Sequence, residues 1–410
     1  HRRHRSRDAR RRRLIAKTME SQSNHHNTTE SMRACVLYDV ARMEVRDVPR
    51  SQAGRRDVVV RVASVGLCGT DLHIFAGHAN YNTDAHGQPV PFSKEPQILG
   101  HEISGEVVEV GADVADLRAG DRVVIDQGLN CVSMARAEMC EYCRTGNSHQ
   151  CEFYREHGIT GLPGGLAEFI SVPAINCVLI QSSLGAEAAM TEPLGCIIHS
   201  SDFVARARSR YAIDAADKER RVRAALICGA GPAGLLFTQY LRQALGYDGL
   251  LLVSEPNPRK RALASAFGAQ TIDPATTDVV EQVQEMTDGR GVEYLIEATG
   301  SGRVMAVIPG LIRKQATVLL YGHGHAGTDM SLLNNVLFRE PALIASVGAS
   351  GGFDAEGHPE VYRRALRLIE SGRIDVASII THRYTRLEQV PQALAGDWRA
   401  ADYVKGVVTL

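Results

Sequence analysis

The stretch Ala224-Ala225-Leu226-Ile227-Cys228-Gly229-Ala230-Gly231-Pro232-Ala233-Gly234 decides the fold. Its first five residues read as a buried strand, the next six fit G-x-G-x-x-G, and Leu235–Leu245 continues as a helix. Each glycine has its own task. Gly229 permits a tight turn, Gly231 lets the backbone approach a pyrophosphate, and Gly234 allows the helix to pack close to the strand. Pro232 and Ala233 open the helix, whose N-terminus offers free N–H groups and a positive dipole end to phosphates. The six-residue pattern alone is weak; the strand before it and the helix after it give it weight.

Toward the C-terminus the rhythm repeats. The strand LLLVSE ends at Glu255, followed by the helical PRKRALASAFG, then VEYLIEATG and ATVLLYG, to about residue 345. Alternating strands and helices mean a parallel sheet covered on both faces, an α/β doubly wound fold. A carboxylate at Glu255 is placed to accept the adenosine ribose hydroxyls and repel a 2′-phosphate, which predicts NAD rather than NADP. Arg259 and Lys260 are nearby cations that could accommodate that phosphate. Thr299, next to last in YLIEATG, joins the expected cofactor-binding set.

Toward the N-terminus, residues 32–62 and 103–125 are β-rich, with a loop-like, cysteine-rich segment at 127–151. Residues 186–207 look helical, and 208–222 read as a charged surface connection. The last segment, 346–410, holds helices near His358–Ser371 and Leu387–Ala395 and ends in the strand Lys405–Leu410.

At 410 residues the chain is long enough for two or three domains, and 44% hydrophobic with 23% charged residues is ordinary for a globular protein. The net charge of -1 gives no reason to expect a nucleic-acid or membrane partner. It hides an asymmetry: residues 1–31 carry nine basic against three acidic residues, leaving -7 for the rest. That arginine-rich tail has little to bury and is expected to be disordered, with an RNA-binding arm or transit peptide as alternatives. No apolar run approaches the roughly 18 residues of a membrane span. Nine cysteines, an odd number, without a secretory leader, argue for reduced thiols and a cytoplasmic protein.

Some of those thiols have metal-ligand spacing. Cys140-x2-Cys143, with Cys131 and Cys151, could close a tetrahedral four-thiolate zinc site that staples a loop. A second, dispersed set comprises Cys68-Gly69-Thr70-Asp71-Leu72-His73, Gly100-His101-Glu102 and Thr191-Glu192-Pro193-Leu194-Gly195. It supplies a thiolate, an imidazole and two carboxylates, the ligand types of a zinc site that keeps a position open. Each fragment alone would pass for an ordinary turn or a satisfied polar residue.

Taken in order, these motifs resemble the zinc-dependent medium-chain dehydrogenases, most of all the polyol and sorbitol dehydrogenase branch, with threonine dehydrogenase close by. The resemblance spans about 32–410. It implies a GroES-like catalytic domain at 32–197, completed by 349–410 and split around a Rossmann domain at 198–348. It places a catalytic zinc on Cys68 and His101 with either Glu102 or Glu192 as third ligand, and a structural zinc on Cys131, Cys140, Cys143 and Cys151. It further implies hydride transfer between a small alcohol or ketone and NAD in a homodimer or homotetramer. Thr70 would take the alcohol proton, the nicotinamide ribose would pass it on, His73 would release it, and Asp71 would orient His101. Two departures stand out. Val132–Met139 intervenes where the family spaces its first two cysteines two residues apart, residue 137 being Ala. The loop between Cys68 and His101, with Tyr81–His86, is longer than usual and is expected to rim the substrate cleft. A zinc-free reductase of the same superfamily and a non-catalytic NAD-binding regulatory protein are the alternatives.

Overall fold

A computed structural model describes residues 30–325, 329, 331 and 333–410. The arginine-rich residues 1–29 lie outside this set, and with them almost all of the expected tail.

The six strands Ala224–Cys228, Leu250–Ser254, Gln270–Ile272, Val292–Glu297, Ile312–Leu320 and Ala342–Ala345 form one parallel sheet. Their spatial order is third, second, first, fourth, fifth, sixth. This is the doubly wound arrangement, whose order reverses beside the first strand and opens a crevice there. Ala224–Cys228 and Val292–Glu297 are buried along their whole length, as strands covered on both faces must be. Gly229 sits at φ 97°, and a Cβ on Gly234 would fall 2.0 Å from the Gly229 carbonyl oxygen. Any side chain there would push the helix off the strand. That helix, Pro232–Gln239, starts with proline in its first turn and continues through the π-turn Tyr240–Ala244.

The β-rich part is a seven-stranded sheet centred on Asp57–Leu67. On one edge Asp57–Leu67 pairs antiparallel with Glu102–Val110, Gly66 standing opposite Glu102. Along the other edge it pairs with Phe169–Pro173 and, nearer its end, with the chain's last strand, Lys405–Thr409, Gly406 standing opposite Leu67. Lys405–Thr409 in turn runs parallel to Ile380–Tyr384. Residues more than 300 positions apart therefore share one sheet, and Lys405 is carried to Glu102.

The helix Thr191–Arg206 joins the two parts. Its Leu194 and Ile197 are fully buried in one core with Phe237 of the glycine-loop helix and Tyr362 of the helix Glu360–Glu370. Each such side chain contributes about 1.5–3 kcal/mol of burial. Glu192 sits in the first turn of this joining helix, at the boundary between the sheets.

Candidate active site

Cys68 stands at the N-terminus of the short helix Gly69–Phe75. Asp71, fully buried, ties that turn to the one before Glu102: its Oδ2 accepts from the Cys68 N–H at 2.9 Å and its Oδ1 from the Gly100 N–H at 3.1 Å. Asp71 Oδ1 also lies 3.5 Å from His101 Nδ1, which leaves the opposite ring nitrogen for other partners. Burial opposes a charged His101, but Asp71 and Cys68 outweigh it and hold the imidazole well above its usual range.

Cys68, His101 and Glu102 each offer a ligand atom, all within 4.8 Å of one another. Glu102 Oε1 accepts from Lys405 Nζ at 2.6 Å, while Oε2 is buried with no hydrogen-bond partner. A half-buried thiol, a buried imidazole and a buried carboxylate with an orphaned oxygen suit Zn²⁺ in both number and chemistry. Glu192 stands at the margin. Its Oε1 receives Gln127 Nε2 at 3.3 Å and the Cys196 thiol at 3.2 Å. Burial raises its carboxyl pKa, with His101 opposing and Glu102 reinforcing. The Tyr362 hydroxyl donates to Gln127 Oε1 and so fixes which end of the amide faces Glu192.

Thr70 Oγ1 is 3.8 Å from Cys68 Sγ. His73, one turn on and half-buried, has its ring 5.5 Å from that of His323 and 6.1 Å from that of His78. Burial, then the neighbouring His323 and His78, lower its pKa. From the long loop, the Tyr81 hydroxyl reaches within 3.3 Å of His323 Nε2, just past the fifth parallel strand. The loop thus crosses from the β-rich part to the parallel-sheet part.

At the glycine loop, Glu255 Oε2 accepts from the Ala230 N–H at 2.7 Å and Oε1 from the Asn257 N–H at 2.9 Å. The carboxylate braces the loop as well as facing the crevice. Among the described residues nothing lies within 4 Å of where a Cβ on Gly231 would stand. The Thr299 methyl is 2.8 Å from the corresponding point on Gly229, so Thr299 forms the wall opposite. Its N–H donates to Glu297 at 2.7 Å, and His325 Nε2 approaches the same carboxylate at 2.8 Å. Arg259 is largely exposed and lies 4.0 Å from Asp402.

The four clustered cysteines converge. Their sulfurs lie within 4.8 Å of one another, with Cys131–Cys151 at 3.6 Å and Cys140–Cys151 at 3.9 Å. The intervening segment loops out. Asn130 Oδ1 accepts from the Val132 N–H at 2.9 Å, the Arg136 N–H donates to the Cys131 carbonyl at 2.9 Å, and Ala135 takes φ 47°. That turn returns Cys131 to the cluster in spite of its unusual spacing. All nine cysteines are free thiols, and four this close cannot all ionise without a cation among them.

Lys405, Gln127, Tyr362 and Glu297 were not singled out from sequence. A lysine opening the apolar KGVVTL and a glutamate ending the apolar YLIE are signals that could have found two of them. Nothing in sequence marks Gln127.

Residues 54–182 match the alcohol dehydrogenase GroES-like domain, and residues 232–371 match the zinc-binding dehydrogenase family. The chain is 30% identical over 364 residues to L-threonine 3-dehydrogenase of Pyrococcus abyssi, covering 88% of this chain and 93% of that one. It is 28% identical over 395 residues to L-idonate 5-dehydrogenase of Vitis vinifera, covering 95% and 97%. A solved zinc-binding dehydrogenase from Sinorhizobium meliloti, bound to NADP, superposes with a TM-score of 0.75 at 29% identity, covering 93% of this chain and 100% of that one. On its motifs, its fold and these likenesses, the chain belongs to the zinc-dependent medium-chain dehydrogenases, in the polyol and threonine dehydrogenase branch.

Proposed function

We propose that this chain transfers hydride between a secondary alcohol, of the polyol, sugar, cyclitol or amino-alcohol class, and NAD. The observation that carries this reading is the convergence of Cys68, His101 and Glu102, with Glu102 Oε2 left unpartnered. Those three residues would hold zinc, with Glu192 alongside. A bound zinc would supply Lewis acidity, making the alcohol proton easier to remove.

The chain's own residues do the rest. Asp71 fixes the His101 ring, and Thr70 takes the alcohol proton. His73, whose lowered pKa suits proton release near neutrality, passes it toward solvent. The glycine loop and the helix Pro232–Gln239 cradle the pyrophosphate. Glu255 favours NAD, because a ribose phosphate would face a carboxylate already fixed in the loop. Arg259 reaches toward Asp402, which supports the same choice. Cys131, Cys140, Cys143 and Cys151 would hold a structural zinc.

The domain division follows the same reading, with 32–197 and 349–410 as the catalytic domain and 198–348 as the cofactor domain. A cytoplasmic homodimer or homotetramer is part of it. The edge strand Ala342–Ala345 leaves Leu343 47% exposed, and an apolar sheet edge of this kind invites pairing.

The test is elemental analysis before and after mild chelation, followed by NADH formation over a panel of secondary alcohols. Two zincs per chain, one lost together with activity, are expected. Retained activity after loss of the labile metal, or no turnover by the fully loaded protein on any alcohol, would overturn the proposal. Thr70→Val should lower turnover with zinc content and NAD affinity unchanged; undiminished turnover removes Thr70 from the proton path.

A further inference from the structure

The connection at 208–222 has no part in the chemistry above. It folds back on itself through an Ala212–Arg221 bridge, and the Val222 N–H donates to the Ala212 carbonyl at 3.0 Å. Tyr211, buried, anchors it, its hydroxyl 3.4 Å from the Lys314 carbonyl. The anchored segment walls a cavity of about 640 Å³ against residues at the starts of the fourth and fifth parallel strands and just before the sixth. In a parallel sheet that is the end opposite the glycine loop. Arg210, Arg290, Arg313, Lys314 and Arg339 line it, with Glu340 as the one lining acid.

Two of these cations have structural employment. Arg313 pairs with Glu293 at 2.7 Å. Arg290 pairs with Asp288 at 3.2 Å and donates to the Thr287 carbonyl at 3.2 Å, capping the helix Val279–Met286. Cations at helix C-termini are expected for stability alone. That account does not reach Arg210, Lys314 and Arg339. Arg210 meets the Gln315 amide at 3.5 Å and lies 5.6 Å from the Tyr211 ring centroid, and none of Arg210, Lys314 and Arg339 has an acidic partner among the described residues. The Gln315 N–H donates to the Arg339 carbonyl at 2.6 Å, which sets the two segments side by side, and Gln315 Nε2 holds Glu340 at 3.2 Å. Glu219 of the same connection also acts on Arg313. Three cations from three separate segments, none in an ion pair among the described residues, thus surround a cavity large enough for a small metabolite, against the single acid Glu340.

We infer that this cavity is a second ligand site, remote from the hydride-transfer site, and that it takes a small phosphorylated molecule. Arg210 and Arg339 would bind phosphate oxygens in forked geometry and Lys314 as a point charge. The exposed Phe338 ring flanks the cavity and offers the rest of the ligand an apolar face.

The test is calorimetric titration of inorganic pyrophosphate into the full chain, with NADH saturating so that the cofactor site is filled. A single pyrophosphate per chain is expected, and the double variant Lys314→Ala/Arg339→Ala should bind it about tenfold more weakly or worse. NADH affinity and turnover without pyrophosphate should be unchanged, because neither residue belongs to the proposed chemistry. Absence of binding, or equal binding by the variant, overturns the inference. Sedimentation of both proteins guards against another role: a variant that changes its assembly state would make this face a contact between copies, and the ligand site would fall.

Discussion

Lys405 Nζ donates to Glu102 Oε1 at 2.6 Å, and the two side chains, 4% and 0% exposed, are joined across the sheet although 303 positions separate them. Burial alone would weaken the lysine's charge, but Glu102 and then Cys68 outweigh it and raise its pKa. Removing one member of a buried pair leaves the other charge uncompensated, at about 3–5 kcal/mol. Lys405→Met should therefore cost about that much stability in chelated protein. In zinc-loaded protein the loss should be smaller, because the cation can take over the carboxylate. Denaturant titration with and without chelator measures both; equal losses would mean that Glu102 does not reach the metal.

Gly66 makes room for the same carboxylate. A Cβ there would fall 1.8 Å from Glu102 Oε2 and 3.2 Å from Glu102 Cβ. With Oε1 held by Lys405, the group cannot swing away cheaply. Gly66→Ala should lower occupancy of the labile zinc and leave the cysteine-bound one in place, as read by elemental analysis. Glu192→Gln should keep the labile zinc, because Glu192 lies outside the three-residue cluster. Loss from the Glu192 variant and retention in the Gly66 variant would reverse the choice of third ligand.

Most of the fold was legible because local patterns and distant contacts agree. The glycine loop reads correctly since its turn, its helix start and its close packing are all encoded within Gly229–Gly234. Cys68, His101 and Glu102 were legible for their chemistry. Their convergence was not, because it depends on Asp71 joining two turns through Cys68 and Gly100. Lys405 escaped for a similar reason: only pairing of the terminal strand with Asp57–Leu67 brings it to Glu102. The spacing of Cys131 looked unfavourable since linear distance says nothing about a looped-out turn at Asn130–Arg136.

That turn makes the role of Cys131 testable. Cys131 and Cys151 sulfurs are 3.6 Å apart, and the Cys140 N–H donates to Cys131 Sγ at 3.3 Å. A thiolate that accepts a backbone N–H and belongs to a closed four-sulfur set binds zinc tightly, and much of that binding energy is folding energy. Cys131→Ala should lose the chelator-resistant zinc, keep the labile one, and unfold at lower denaturant than the parent. Retention of the resistant zinc at parental stability would mean that three cysteines suffice.

His199 gives the molecule a defined sensitivity to acid. It lies on the helix Thr191–Arg206, 7% exposed and stacked on Phe203 with ring centroids 5.9 Å apart. Burial, then His149 and Arg206, push its pKa down to about 4. An unfolded histidine takes up its proton near 6.5, so between those values the unfolded chain binds more protons than the folded one. The neutral ring's contribution is therefore complete above about pH 6.5 and is lost as pH falls toward about 4. A shift of that size corresponds to about 3 kcal/mol. His199→Leu keeps an apolar side chain on the helix and removes the titration. The carboxylates and the other histidines titrate in both proteins, so the informative quantity is the difference between them. Urea titrations from pH 7 to 4 should show the parent losing more stability than the variant, by about 3 kcal/mol across the range. Parallel losses would mean that His199 accepts a proton in the folded state as readily as in the unfolded one.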